Sequence, residues 1–196
     1  MRGAGFLAIW SDVERSNLTD YRHWLTREHT TERVTTDGFL ANRVFRADRS
    51  DIERFFILYE LQTPEVLDGP AYLARLNAPT PWSQRIMPQL GNFMRGGGAV
   101  IARAGRGEGC TIVALRLERL PESPKRLADD IAALDGIAAV QIGATALFIR
   151  LRAEPAAKRH FFPQSGRMIR RHALPADLPR EEAAHRERLI ADKLGR

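Results

Sequence analysis

The chain has 196 residues, with 44% hydrophobic and 28% charged, which excludes a disordered protein and fits one large globular domain or two small ones. Its formal net charge is +6, but residues 155–196 hold 10 Lys and Arg against 5 Asp and Glu, so the excess belongs to the C-terminal tail and not to a nucleic-acid surface spread over the chain. No apolar run approaches the roughly 18–20 residues of a membrane helix. The run 6–10 is too short for a secretory leader, and the single cysteine, Cys110, excludes an internal disulfide and a cysteine-based zinc cluster, so a cytoplasmic protein is expected.

In chain order, residues 5–10 form a short apolar run ended by Ser11-Asp12, which predicts a buried strand. Ser16 or Asn17 then caps a helix to about residue 33 or 34, stopped by Asp37-Gly38. On that helix Leu18, Leu25 and His29 share a face, while Trp24 and Glu28 lie further round. Residues 39–47 and 54–62 alternate as strands around a polar turn and predict a hairpin. Thr63-Pro64 starts a helical segment that is interrupted at Gly69-Pro70, and Thr80-Pro81 repeats the start signal for a short helix to about residue 90. Residues 93–103 predict a last strand, broken by Gly96-Gly97-Gly98. The order is β-α-β-β-α-β, that of a ferredoxin-like unit.

Residues 105–109 are rich in glycine and hold no core residue, which predicts a linker between a first domain, 1–104, and a second, 110–196. A phosphate loop is disfavoured there because no Gly-Lys-Ser/Thr ending and no following helix is present. The pattern then restarts. Residues 111–117 read as a strand and Ser123-Pro124 opens a helix with the stripe Leu127, Ile131 and Leu134. Residues 137–142 and 146–151 form a hairpin, completing a partial second unit. The basic tail departs from the repeat; 158–178 has doubtful strand content and 181–194 is a plausible helix.

The stretch Tyr21-Arg22-His23-Trp24-Leu25-Thr26-Arg27-Glu28-His29, followed by Gly38-Phe39, resembles the EthD-like branch of the dimeric α/β-barrel superfamily. Leu58-Tyr59-Glu60-Leu61 and the segment from Pro70-Ala71-Tyr72-Leu73 to Thr80-Pro81-Trp82-Ser83 are similar to that group as well. The likeness covers roughly residues 5–103, weakens over 110–152 and fails over the tail. It implies antiparallel sheets with helices on one face, pairing into a barrel between two subunits of a homodimer or between two halves of one chain. It also implies a small-molecule-binding protein. One reading is a cofactor-independent enzyme of oxygenase, isomerase or cyclase type, acting on a small aromatic, polyketide-like or lactone compound. The other is a non-catalytic ligand-binding or structural dimer. The group spans such different chemistries that membership selects no reaction.

Four residues form the candidate site. His29, on the apolar face of its helix, suits proton transfer in a cleft, or is a core histidine bonded to its neighbours. Tyr59 shares a strand face with Phe55, Ile57 and Leu61 and is placed to give an O–H to a carbonyl or enolate in the same cleft, or simply packs. Tyr72 and Trp82, in the proline-interrupted segment, would form the substrate-binding wall. Glu28 is expected in an ion pair with Arg33 or a partner arginine, and Arg43 is placed to pair with Glu60. His23 is six residues before His29 on another face, so the two cannot share a metal, and no other spacing suggests one. No cofactor, nucleic acid or membrane partner is expected; the third strand, 54–59, lacks the Gly-Phe core of an RNA-recognition signature.

Overall fold

The computed structural model describes residues 3–47 and 52–152, together with the backbone of 161–162 and 169–170. The chain is α+β and divides into two compact units, which among residues 3–152 meet between Ala99 and Val100. That division falls inside strand β4 (Gly91–Gly105).

The first unit contains β1 (Gly5–Glu14), β2 (Phe39–Ala47), β3 (Ile52–Leu61) and the first part of β4, all antiparallel in the order β2-β3-β1-β4. This is the ferredoxin-like order. Strand β1 runs four residues past its apolar stretch. Asp12 lies opposite Arg54 on β3 and accepts two hydrogen bonds from its guanidinium, at 2.6 and 2.7 Å, so a cross-strand ion pair continues the ladder where apolar side chains end. The glycine triplet also differs from expectation, because β4 is unbroken through it. Gly97 lies opposite Leu7, and a Cβ there would come within 2.5 Å of the Leu67 side chain and 2.9 Å of the Phe6 carbonyl oxygen. Gly97 leaves the strand thin enough for the segment carrying Leu67 to lie against it.

The helices cover one face of this sheet. From residue 15 to 34 the backbone is helical without a gap, but not uniformly so. A 3₁₀ turn (Arg15–Asn17) leads into α1 (Leu18–Trp24), a π-helical turn (Leu25–His29) follows, and α2 (Thr30–Val34) ends the segment. In the π turn the Thr30 N–H donates to the Leu25 carbonyl, five residues back. Neither Ser16 nor Asn17 caps the segment with its side chain. A second layer follows β3: a 3₁₀ segment (Pro64–Asp68), α3 (Pro70–Asn77) and α4 (Pro81–Ile86). Here Thr80 does cap, accepting from the Ser83 N–H at 3.0 Å. Tyr21, Trp24 and Leu25 from the first segment and Tyr72 and Ile86 from the second pack on Leu7, Ile9, Phe55, Ile57, Tyr59 and Leu61. On the other face Phe6, Ala8 and Leu58 are buried, Phe56 lies between Trp10 and Phe45, and Arg43 approaches Glu60 at 3.9 Å.

The second unit contains the rest of β4, then β5 (Thr111–Arg116), α5 (Pro124–Ala132), β6 (Ile137–Gly143) and β7 (Ala146–Leu151), again antiparallel, in the order β4-β6-β7-β5. Within it β6-β7-β5 repeats the β2-β3-β1 order of the first unit. The stripe of α5, Leu127 and Ile131 with Ala128, and Leu134 beyond its end, packs on Val140, Ile142, Leu147 and Ile149. Ser123 precedes α5 without a side-chain cap. In the tail, β8 (Phe161–Phe162) and β9 (Ile169–Arg170) pair antiparallel, whereas the helix expected over 181–194 lies outside the described residues. No helix among the described residues is long and apolar enough to cross a membrane.

Candidate functional site

Within the first unit the two helical layers leave a cavity of about 210 Å³ above the sheet. Its floor is Leu7, Ile9 and Ser11 of β1 and Ile57 of β3, with Phe93 and Arg95 of β4 at one side. Tyr21, Trp24, His29, Glu32 and Arg33 form the wall from the first helical segment. The opposite wall is the proline-interrupted layer: Tyr72, Leu76, Pro79, Ser83 and Met87, with Leu90 beyond it. Leu76, Met87 and Phe93 are each 38–40% exposed, so the mouth has an apolar rim.

The π turn sets the position of His29. In a regular α-helix residues five apart point about 140° away from each other. With the widened turn, His29 stacks on Trp24 at a centroid distance of 4.3 Å and an angle of 26°. Trp24 is itself fixed, because its indole N–H donates to Ser83 Oγ at 3.0 Å. Glu28, also on the π turn, accepts from Thr80 Oγ1 at 2.5 Å and from Ser83 Oγ at 3.4 Å. Glu28 therefore ties the first segment to the start of α4 and does not form the ion pair with Arg33 expected from helical spacing. The extra residue in the turn brings it round to the second layer.

His29 is 7% exposed, and its Nδ1 has no hydrogen-bond partner. Burial, with a further contribution from the nearby Arg33 charge, pulls its pKa down to about 3. The imidazole is therefore neutral through the physiological range, with one ring nitrogen uncommitted. The side chain of Arg33 is 11% exposed, and its Nη1 is likewise buried without a hydrogen-bond partner, the Glu32 carboxylate lying at 4.0 Å. The Arg33 guanidinium sits over the Tyr72 ring at 5.5 Å, and Arg95 over the same ring at 5.4 Å. Arg95 also donates to Tyr72 Oη at 2.8 Å, which leaves the phenol O–H free to donate. Burial raises the pKa of Tyr21, whose hydroxyl meets Ser11 Oγ at 3.5 Å, so it stays a neutral phenol.

Of the four residues singled out by the sequence, His29 and Tyr72 line this cavity together, while Tyr59 and Trp82 do not. Tyr59 is on the helix-covered face, as strand alternation requires, but it lies wholly inside the core in a T-shaped contact with Phe39. Its hydroxyl has no hydrogen-bond partner, and burial raises its pKa. The Trp82 indole N–H donates to Asp20 at 3.0 Å, and Arg85 reaches the same carboxylate at 3.0 Å, so Trp82 is held at the outside of the layer. Sequence reasoning missed Ser11, Arg33 and Arg95. Strand alternation carried a signal for two of them: Ser11 continues the Leu7, Ile9 face, and Arg95 lies opposite Ile9.

No family model matches the chain, and no curated protein matches it. Among solved structures it is similar to a crystal structure described as a "Putative monooxygenase" from Fusobacterium nucleatum subsp. nucleatum, at 15% identity and a TM-score of 0.45, covering 78% of this chain and 77% of that one. The strand order and the site described above rest on this chain's own geometry.

Proposed function

We propose that the first unit binds a small cyclic compound in the cavity between its helical layers, with His29 as the group that exchanges a hydrogen bond or a proton with it. The observation that carries this reading is His29 Nδ1, buried and without a partner beside a cavity of apolar walls. A buried polar atom left unpaired costs on the order of 1–3 kcal/mol, and His29, which lines the cavity, recovers that cost when its ring turns Nδ1 to a ligand. Tyr72, rather than Tyr59, stands where an O–H could be given to a carbonyl or enolate oxygen. The resemblance to the EthD-like branch supports a cofactor-independent reaction, of oxygenase, isomerase or cyclase type, as the finer form of this proposal. A neutral imidazole of low pKa favours a second form, in which the protein binds without turnover and His29 only accepts a hydrogen bond.

The test has two stages. Trp24 lines the cavity, so single-ring lactones and ketones are titrated while its fluorescence is read. Compounds that bind are then incubated with the protein in air without added cofactor, and the products are analysed. Under the enzyme form, His29→Ala abolishes turnover of a compound that still binds. Under the binding form no compound is turned over and the substitution weakens binding alone. No binding by any single-ring compound overturns both.

A further inference from the structure

We propose that the ligand of this cavity is a single-ring carboxylate, its ring between Trp24 and the apolar floor and its carboxylate on Arg33. The inference rests on the small-molecule reading above and adds the ligand's charge and size.

Size comes first. An apolar cavity of about 150 Å³ accepts benzene. The present cavity of about 210 Å³ has room for one ring and a short polar substituent, but not for several fused rings. Charge comes second. Three charged side chains line the cavity: Glu32, Arg33 and Arg95. Glu32 is engaged outward as well, with the Arg75 guanidinium at 3.8 Å. The balance is one excess positive charge, and both guanidiniums stand over one phenol ring, that of Tyr72. A guanidinium carries five N–H donors in a planar fork that matches a carboxylate. Among the described residues the Arg33 guanidinium donates no hydrogen bond; the Glu32 carboxylate lies at 4.0 Å, and the Arg33 side chain lines the cavity. A carboxylate in the cavity supplies the acceptor that the Arg33 fork lacks, and the exposed Arg95 guanidinium, also in the lining, is placed to meet an anion on entry.

The geometry also links the anion to His29. The Arg33 charge is one of the two influences that hold His29 neutral. A carboxylate on Arg33 offsets that charge, the smaller of the two influences, while burial, the larger, remains.

The experiment titrates the full chain with sodium benzoate, with benzamide of the same shape but no charge, and with sodium acetate, which has the charge but no ring. Binding is read by calorimetry and by Trp fluorescence. Benzoate is expected to bind at least tenfold more tightly than benzamide, and acetate more weakly than either. In Arg33→Gln the advantage of benzoate over benzamide is lost, and circular dichroism shows that the variant is folded. Arg33→Lys, keeping the charge without the fork, retains part of the advantage. Equal binding of benzoate and benzamide overturns the carboxylate assignment and leaves the small-molecule reading intact. Acetate binding as tightly as benzoate overturns the ring. Binding by none of the three overturns this inference and counts against the cavity reading as a whole.

Discussion

The two units share a strand order and differ in how their helices lie on it. Among the described residues the second unit carries one regular helix, α5, which presents Ala128 and Ile131 to a sheet of Val, Ile and Leu side chains, and its exposed side carries the i,i+4 pairs Lys125–Asp129 and Arg126–Asp130. In the first unit the corresponding helix contains a π turn, a second helical layer follows β3, and the core is aromatic: Tyr21, Trp24, Phe39, Phe55, Tyr59 and Tyr72. The cavity is lined by His29 of the π turn, by Arg33 just after it and by the layer that follows β3. Strand order specifies a scaffold, while the irregular helix and the layer after β3 leave a cavity on it.

The contrast can be broken most strongly at Trp24. Trp24→Ala removes the ring on which His29 stacks and the donor to Ser83, and is expected to cost about 3–5 kcal/mol in chemical denaturation and to eliminate ligand binding. Its counterpart is Ile131→Ala, which empties a fully buried position under α5. This should cost about 2–5 kcal/mol and leave the ligand affinity of the folded protein unchanged. Loss of binding from Ile131→Ala under folding conditions would show that the functional contrast between the units is wrong.

A third expectation concerns pH. The folded protein holds His29 unprotonated down to about pH 3, while the unfolded chain takes up that proton near its ordinary value of 6.5. The unfolded state therefore binds more protons in this window. Stability due to His29 is full above pH 6.5 and falls with decreasing pH, at up to about 1.4 kcal/mol per pH unit. The charged groups sharing its cavity are Glu32, Arg33 and Arg95. Urea unfolding between pH 6.5 and 4.5 should show this slope in the wild type and a flatter one in His29→Gln. Parallel slopes would contradict it. The smallest effect is expected on the surface of the second unit, where Lys125→Ala removes an exposed helix pair and should change stability by no more than about 0.5 kcal/mol.

Much of the scaffold is legible in the residues, because apolar alternation and Pro-based helix starts are local signals. The hairpin of β2 and β3, the starts of α3 and α4 and the stripe of α5 all follow from them. The site is only half legible. His29 and Tyr72 can be placed from faces and from the proline-interrupted segment. Tyr59 follows the same parity yet lies under the cavity, since alternation gives a face and not a depth. The π turn leaves no mark in periodicity: the spacing of Trp24 and His29 places them apart on a regular helix, and only the Thr30 to Leu25 hydrogen bond brings them together. Arg33 reads as an ordinary surface residue near a helix end, and its burial depends on Tyr72, more than thirty residues later.

The central claim is that His29 is a neutral, unpaired histidine facing a ligand cavity. Imidazole ¹⁵N NMR of histidine-labelled protein, recorded from pH 7 to pH 4.5 with and without sodium benzoate, tests it most directly. The account predicts one of the five histidines that stays neutral to pH 4.5 without ligand, is absent from the spectrum of His29→Gln, and shifts its Nδ1 resonance when benzoate is added. A His29 that titrates near 6.5 and does not respond to the ligand would contradict it.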